Sequence, residues 1–252
     1  MSTLRGNGRR VEFKELGPDY VEPPKETRSY NVVPYQTLAG MVETKCEKLL
    51  GSQYEMIDSE YMLARGDQHF FGLITMKNSS TDMNLAVGYR NSYNKELSVS
   101  LACGSQVIVC SNLMITGDVF VMRKNTTNAY LDLDDLATDA ILSADTSFRK
   151  AKDIKFISEQ IDMSNKSAYQ MLGFLVGNGV IGTRQMKRAL EEWDKPSYDH
   201  GINTAWTFYN AVTESLKSSQ LSDKLVKLSD FNDMFVNEYL NKHPYFQGGI
   251  IN

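Results

Sequence analysis

Residues 97–110 read LSVSLACGSQVIVC, which is two short runs of strand-forming residues separated by Gly104-Ser105. In the first run Ser98 and Ser100 alternate with larger apolar residues. Because successive side chains of a strand point to opposite faces, this alternation predicts a strand with one apolar face and one small, polar face. Glycine tolerates the positive φ that a two-residue type II′ turn needs at its first position. The sequence therefore predicts a tight hairpin at Gly104-Ser105.

The neighbouring segments extend this pattern into a sheet. Short alternating or β-branched runs, separated by turn residues, occupy residues 54–64, 70–77, 85–91, 97–103 and 106–110. Such runs predict an antiparallel meander of about four or five strands between residues 54 and 125, with one face buried. An open sheet edge would have to be covered, and we expect a second copy of the chain to cover it in a homo-oligomer.

Helical periodicity replaces the strand pattern on either side of this sheet. Residues 37–50 place their apolar side chains on one face and predict an amphipathic helix. From Asp132 to Ile161 the apolar residues keep a helical period, which predicts one long helix. Ser164 and Thr183 are typical N-cap residues. With the long helix, the C-terminal half is predicted to hold about five helices, the others lying over 164–177, 183–195, 202–216 and 222–240.

The order of these elements predicts an α+β fold. Strands that precede helices, instead of alternating with them, argue against a Rossmann-like enzyme. Residues 1–36 contain four of the six prolines and are predicted to form an extended arm. Residues 37–240 are predicted to be a single α+β domain, with the sheet over 54–125 and the helical half over 132–240. Residues 241–252 are predicted to be an irregular tail.

The composition is that of a globular protein. Of the 252 residues, 42% are hydrophobic and 10% aromatic, and Lys+Arg 27 against Asp+Glu 31 gives a net charge of −4. Such a chain has enough apolar surface to fold. No stretch approaches the roughly 18 apolar residues of a membrane span, and the polar N-terminus lacks the apolar run of a secretory signal. We therefore expect a cytoplasmic protein with no membrane partner.

Motifs of catalytic or metal-binding chemistry are scarce in the sequence. The three cysteines form no C-x-x-C pair, and His69, His200 and His243 lie far apart and outside any H-E-x-x-H pattern. The glycine motifs of nucleotide-binding proteins and hydrolases are also absent. We expect reduced, buried thiols, no metal site and no cofactor, and the sequence assigns no catalytic residue.

Two segments carry a family resemblance. The first is YRNS at residues 89–92, which leads into residues 97–117, and the second is INTAWTFYNAVTESL at residues 202–216. In combination they resemble the DUF932 family of phage/plasmid-like proteins, over most of the chain from Gly66 to Lys217. The resemblance implies a gene carried by a phage, prophage or plasmid, and so the cytoplasm of the host cell. It implies no active site.

One helix face in the second segment is a candidate site. Residues three or four positions apart share one side of a helix, and here these are Asn203, Trp206, Asn210 and Thr213, with Glu214 beside them. Polar groups beside an aromatic ring suit a ligand-binding site or, with His200 nearby, an acid–base site. They also suit a buried hydrogen-bonded network that docks the helix onto the sheet.

A second candidate site is a set of basic and tyrosine side chains. Cations can follow a phosphate backbone while aromatic rings stack on unpaired bases. The set lies on the rim of the predicted sheet and on the long helix, and comprises Tyr89, Arg90, Tyr93, Lys95, Arg123, Lys124, Arg149, Lys150 and Lys152. Because the chain is acidic overall, nucleic-acid binding requires these residues to form a local basic groove. The other interpretation is a solvated charged surface.

These observations lead to two functional expectations. The first is a non-enzymatic phage or mobile-element protein, an accessory in DNA transactions that binds single-stranded nucleic acid through the basic, tyrosine-bearing rim of the sheet. The second is a counter-defence or regulatory protein whose arm and glycine-rich tail become ordered on a host or phage protein. A virion component is a further interpretation. An enzymatic role would have to use the helix face at residues 202–216.

Overall fold

The centre of the fold is a six-stranded antiparallel sheet whose strands lie in chain order. The computed structural model describes residues 8–28, 30–78, 83–107, 113–123, 129–199, 201, 203–219 and 221–243. The strands are β1 (Arg9–Val11), β2 (Glu55–Ala64), β3 (His69–Lys77), β4 (Met83–Ser92), β5 (Val99–Val107) and β6 (Leu113–Arg123). The antiparallel meander and the α+β class are confirmed. Strand β1 lies outside the predicted sheet region of 54–125, and β6 lies within it at residues for which no strand was named.

Strand β5 runs through Gly104-Ser105, so the predicted hairpin there is wrong. Gly104 pairs with Ala86 of β4, and Ser105 pairs with Leu85. On its other side β5 pairs with β6, and the register shifts between Ala102 and Gly104. This irregularity lies beside the glycine, and its additional residues, 116–119, are on β6. Hydrogen bonding to strands on both sides outweighs the local preference for a turn.

Both faces of the sheet are covered, contrary to the expectation of one buried face. All ten residues of β4 are buried, and so are eight of the nine residues of β3. Because side chains alternate between faces, consecutive buried residues require a packed layer on each side. Ser100 and Ala102, on the predicted polar face, are 1% and 0% exposed. Small residues occur in packed layers as well as at solvated surfaces, so the alternation alone did not reveal the second layer.

The helices of the described chain come before β2 and after β6, and the first three and the seventh pack against the sheet. They are α1 (Tyr35–Leu50), α2 (Ala129–Leu142), α3 (Ala144–Glu159), α4 (Asn165–Gly177), α5 (Thr183–Asp194), α6 (Ala205–Leu216) and α7 (Leu221–Phe235), which continues as a π-helical turn over Val236–Leu240. The predicted long helix is two helices that meet at Ser143, whose hydroxyl donates to the carbonyl of Asp139 (2.9 Å). Such side-chain bonds compete with regular helix. In the described part of the chain, no helix is long and apolar enough to cross a membrane.

The described residues of the predicted extended arm, 8–28 and 30–36, pack over the body. Arg9–Val11 pairs with residues 61–63 of β2, and Phe13–Leu16 forms a 3-10 helix. Leu16 and Val33 are each 1% exposed. Leu16, Val21 and Val33 therefore belong to the hydrophobic core, whereas Tyr20 of the arm is 59% exposed.

The sheet edges are protected within the described chain. Strand β1 pairs with only the last part of β2, and the outer side of residues 55–60 meets no described strand. That segment has a register shift between Met56 and Asp58 and carries the carboxylates of Glu55, Asp58 and Glu60. Bulges and repeated like charges discourage edge-to-edge pairing. At the other edge α7 packs against β6, so an open edge no longer argues for a homo-oligomer, which stays a prediction.

Candidate functional site

Three residues of the predicted nucleic-acid-binding set are buried. Tyr89, Arg90 and Tyr93 are 1%, 6% and 4% exposed. A nucleic acid cannot stack on or pair with side chains that other elements cover. The expected exposure of these three side chains is therefore wrong, and the cause is the second packed layer on the sheet.

Tyr89 is part of the packing between β3 and β4. Its ring meets the ring of Phe70 edge-on, with centroids 5.8 Å apart. It lies over Gly72, its register partner on β3. Burial raises the pKa of Tyr89, and its hydroxyl has no hydrogen-bond partner among the described residues. Tyr89 thus serves the core.

Arg90 is a buried cation within the sheet. Its Nε donates to Oγ of Ser100 on β5 (3.3 Å). Burial lowers the pKa of Arg90, and the negative charge of Asp223 on α7 opposes that shift. The guanidinium therefore connects β4 with β5 and lies in the field of α7, where a phosphate outside the protein does not reach it.

The following residues of β4 hold the arm against the end of the sheet. Asn91 Nδ2 donates to the carbonyl of Val33 (2.8 Å), and the Tyr30 hydroxyl donates to the carbonyl of Tyr93 (3.0 Å). The Tyr93 hydroxyl accepts from the N–H of Tyr35 (3.1 Å), and the rings of these two tyrosines stack with centroids 3.7 Å apart. The YRNS segment of the family resemblance therefore has a structural role at this position.

Lys95 lies at one end of the sheet. Its ammonium is 4.4 Å from the centroid of the Tyr30 ring, a cation–π contact. Lys95 follows β4, whose last residue pairs with the first residue of β3. At this same end, the backbone of Arg123 pairs with Val99. The side chain of Arg123 and the whole of Lys124 lie outside the described residues.

Arg149, Lys150 and Lys152 lie on α3, near the opposite end of β3. Asp145 accepts a hydrogen bond from the Tyr54 hydroxyl (2.5 Å) and pairs with Arg149 (2.6 Å). Tyr54 directly precedes β2, whose first residue pairs with the last residue of β3. The nine residues of β3 separate these two ends by about 26 Å. The predicted basic residues therefore form two separate groups.

The solvent side of α3 places two of these cations beside an exposed aromatic ring. Arg149, Lys152 and Phe156 follow one another at intervals of three and four residues, so they share one side of the helix; we call them the α3 face. Phe156 is 67% exposed, more than any other large hydrophobic side chain of the described chain. The sequence prediction missed Phe156. The sequence marks Phe156 as an apolar residue that falls outside the core period of its helix, and this position indicates an exposed side chain.

The start of α6 is fixed by local hydrogen bonds. Thr204 caps the helix by accepting from the N–H of Thr207 (3.1 Å). Asn203 has a φ of 58°, a left-handed conformation that asparagine tolerates better than most residues. Its carbonyl accepts from the N–H of Met163 (2.7 Å). Asn203 therefore shapes the turn into α6.

The polar residues of α6 itself are buried, as are all twelve residues of this helix. Asn210 Nδ2 donates to the carbonyl of Trp206 (2.9 Å), and the Thr213 hydroxyl donates to the carbonyl of Tyr209 (3.0 Å). The rings of Trp206 and Tyr209 stack with centroids 5.4 Å apart. This geometry favours the interpretation as a buried, hydrogen-bonded helix.

The carboxylate of Glu214 is held between two cations. It pairs with Arg188 of α5 (3.3 Å) and with Lys217 (2.5 Å), and the side chains of Glu214 and Lys217 are 9% and 8% exposed. The cavity beside Glu214 and Asn210 measures about 10 Å³, room for no more than about one water molecule. A substrate does not fit there. His200, the suggested acid–base partner, lies outside the described residues.

The thiols and acidic groups give no sign of metal or nucleophile chemistry. Within the described ranges, no group of three or more His, Cys, Asp and Glu side chains could hold a metal ion. Cys46 and Cys103 are buried free thiols, as predicted, and burial raises the pKa of Cys46 to about 12. Because the thiolate is the reactive form, these two cysteines are inert. Cys110 lies outside the described residues.

In the described structure Lys95 and the α3 cations Arg149 and Lys152 are the exposed members of the predicted binding set. On the α3 face two of these cations lie beside an exposed aromatic ring, that of Phe156. The resemblance to the DUF932 family stays a prediction, since no protein-family model, curated protein or solved structure matches this chain.

Proposed function

We propose that the protein is a non-enzymatic binding protein that contacts single-stranded nucleic acid through the α3 face. The observation that carries this proposal is the exposure of Phe156 beside Arg149 and Lys152. An exposed aromatic ring can stack on an unpaired base while neighbouring cations contact the flanking phosphates. Bases within a duplex are already stacked on one another, so this combination favours a single strand.

The spacing of the α3 face suits a few nucleotides. Arg149 and Phe156 are seven positions apart, which is about 10 Å along the helix axis. A strand within a duplex rises about 3.4 Å per nucleotide and an unstacked single strand is more extended, so this length corresponds to at most about three nucleotides. One ring and two cations thus fit one stacked base and the phosphates on its 5′ or 3′ side.

The charges around the α3 face make the expected binding weak and salt-dependent. Arg149 is paired with Asp145, but its side chain is 73% exposed. Exposed pairs contribute at most about 1 kcal/mol, so a phosphate can replace the Asp145 carboxylate at little cost. The net charge of −4 lowers the affinity further, because phosphates are repelled by the acidic remainder of the surface.

The biological setting expected from the sequence is retained, and the proposed binding surface differs from the expected one. The setting is that of a phage or mobile-element protein in the host cytoplasm, acting as an accessory in DNA transactions, as the family resemblance implies. Self-association belongs to the same proposal, since several copies along one strand would add their weak sites. The contact surface is the α3 face in place of the sheet rim.

Fluorescence anisotropy with a labelled oligo-dT tests the proposal. We expect binding at low salt that weakens as salt rises. Phe156→Ala should weaken it about tenfold, because stacking of one base contributes about 1–3 kcal/mol. Lys152→Gln should lower the slope of log K against log salt concentration by about 0.7, the value for one phosphate of a single strand.

Phe174→Ala is the matched control, because Phe174 is also an exposed phenylalanine, 40% exposed, but lies on α4. It should bind as the parent does. Absence of binding at low salt, or equal affinity of the Phe156→Ala and Phe174→Ala variants, would contradict the proposal. Light scattering of the free protein and of the complex gives the number of copies.

A second candidate function, binding of a host or phage protein, is favoured by the solvent side of α4. Tyr169 and Phe174 are 47% and 40% exposed. Between and beyond them, Gly173 and Gly177 have no atom within 4 Å of where a Cβ would be. Exposed aromatic side chains beside a flat backbone surface are typical anchors of protein interfaces. This surface replaces the arm, because the described residues of the arm already pack on the body.

The protein-binding candidate requires one stoichiometric partner from host lysate. Capture should be lost with the Tyr169→Ala, Phe174→Ala double variant and kept with Phe156→Ala. Phe156→Ala, the test variant of the oligonucleotide experiment, is thus the control for partner capture, and substitution on α4 changes from control to test. If both variants capture the partner equally, α4 is not the docking surface.

A further inference from the structure

A groove of about 540 Å³ lies between α1 and α2. On α1 it is bordered by residues three, four, seven and eight positions apart, which form one side of the helix. From Thr37 to Lys48 this border is about 17 Å long. The volume falls within the range of about 300–1,000 Å³ that is usual for small-molecule sites.

One wall of the groove holds a fixed cation. The ammonium of Lys45 pairs with Asp134 (2.9 Å) and donates to Oγ1 of Thr138 (2.6 Å), both on α2. The Lys45 side chain is 15% exposed. A lysine has three N–H donors, and these two acceptors of the described structure occupy two of them. The ammonium is therefore held in place at the groove, and these two contacts leave its third donor unused.

A second cation and an apolar floor complete the groove. Lys48 lies one turn beyond Lys45 and is exposed. Met41 and Leu49 are partly buried against the core, and both line the groove together with Gly40, which adds no side chain. Methionine adapts its shape to different apolar surfaces. Cations on the wall and apolar atoms on the floor complement a ligand that has both features.

We propose that the groove between α1 and α2 binds an organic anion, namely a carboxylate, sulfonate or phosphate group attached to an apolar body. The anionic group meets Lys45 and Lys48, where charge-assisted hydrogen bonds are stronger than neutral ones. The apolar body lies on Met41 and Leu49. This site is independent of the α3 face and of the nucleic-acid proposal.

Anilinonaphthalene sulfonate is a suitable probe, because it joins a sulfonate to aromatic rings and fluoresces in apolar surroundings. We expect saturable binding by the folded protein. Thr44→Trp should abolish it, since Thr44 is exposed on α1 and lines the groove, where an indole would occupy the space. Lys48→Gln should weaken binding about tenfold, the lower end of the range for the loss of one hydrogen bond to a charged group.

Lys152→Gln and Phe156→Ala are the matched controls, since they remove a cation and an aromatic ring from the α3 face. Both should bind the probe as the parent does. Thermal unfolding of each variant shows whether the fold is retained, and because Thr44 and Lys48 are exposed we expect it to be. Probe binding that is unchanged by Thr44→Trp, or that is lost in the α3 variants, overturns the proposal.

Displacement of the probe by other ligands tests the anionic group and the apolar body of the ligand separately. Phenyl phosphate should displace the probe, and inorganic phosphate at the same concentration should not, because it lacks the apolar body. Equal displacement by inorganic phosphate would overturn the assignment of the apolar floor. Displacement by an acidic peptide, with none by phenyl phosphate, would overturn the organic anion in favour of a protein partner.

Discussion

Gly72 and Tyr89 face each other across β3 and β4, and the tyrosine ring occupies the space that a side chain at position 72 would need. A Cβ added to Gly72 would lie 2.2 Å from Cζ and 2.6 Å from the hydroxyl oxygen of Tyr89. Carbon atoms in contact are ordinarily about 3.5–4.0 Å apart. The first residue of the YRNS segment thus has its place in the core only because residue 72 is a glycine.

Gly72→Ala should therefore destabilise the fold. Tyr89 is buried at 1% exposure, so its ring cannot move aside into solvent, and overpacking of this kind costs about 1–3 kcal/mol. Urea denaturation measures the change in the free energy of unfolding. In a Tyr89→Leu background the same substitution should cost less, because the ring that causes the clash is gone.

The control is Gly173→Ala on α4, where a Cβ would meet no atom within 4 Å and the fold should gain up to about 1 kcal/mol. Equal effects at positions 72 and 173 would contradict the packing described.

Asn91→Ala should loosen the arm. The substitution leaves the buried carbonyl of Val33 without its side-chain donor at 2.8 Å, and such a loss costs about 1–3 kcal/mol. Because Lys25 and Arg28 are exposed, limited trypsin digestion reports how readily the arm detaches. We expect faster cleavage at these residues in Asn91→Ala. Asn94→Ala, three residues further on, should be cleaved at the parent rate, and if both variants are cleaved alike the arm is not held by Asn91.

Glu214→Ala should destabilise the fold far more than the loss of a surface ion pair. Removing the carboxylate leaves Lys217, whose side chain is 8% exposed, as a buried charge without this partner, and breaking such a pair costs about 3–5 kcal/mol. Lys242→Ala is the control, since its pair with Glu238 lies at the surface and should contribute less than about 1 kcal/mol. Urea denaturation of both variants compares the two losses. Similar losses of unfolding free energy in the two variants would show that the Glu214–Lys217 pair contributes no more than a surface ion pair.

Glu43 on α1 should make stability depend on pH. Its carboxylate accepts a hydrogen bond from the Tyr61 hydroxyl. Burial raises the pKa of Glu43, a hydrogen bond with Ser59 lowers it, and the charge of Glu47 raises it. Because the net shift raises the pKa of the folded state, the folded chain binds the proton more tightly than the unfolded chain. The resulting stability is fully present below the ordinary pKa of 4.5 and is lost as pH rises through the folded pKa.

Glu43→Gln should therefore be more stable than the parent at neutral pH, since glutamine keeps an acceptor for Tyr61 without a charge. The difference in unfolding free energy between Glu43→Gln and the parent should shrink as the pH falls toward the ordinary carboxyl pKa of 4.5. Urea denaturation at a series of pH values measures both curves. A variant that is less stable than the parent at neutral pH would show that the ionised carboxylate stabilises the fold.

Much of the fold was predictable where it depends on residues close together in sequence. The period of residues 37–50 gave helix α1, and Ser164 marked the start of α4, because helical faces and caps involve neighbours within one or two turns. The same local reasoning failed at Gly104 and at Ser143. At Gly104 the neighbouring strands pair with the backbone. At Ser143 the end of α2 is accompanied by a hydroxyl bond to Asp139, a polar contact that the apolar period does not record.

The candidate site was less predictable, because sequence gives the chemistry of a side chain but not its exposure. Arg90 and Lys152 are both cations in the predicted set, yet one is 6% exposed and the other lies in solvent. Phe156 was overlooked because an apolar residue in a helix is usually part of the core. Its position outside the core period was the available clue.

The sequence by itself determined the α+β class, the positions of most helices and the polar and aromatic groups available for binding. These follow from alternation and periodicity, which are properties of the chain within a few residues. Only the tertiary structure decided that both sheet faces are covered, that Tyr89 and Arg90 are inside, and that Phe156 is outside. Burial depends on which distant segments pack over a surface, and the free energy of that packing is a property of the whole fold.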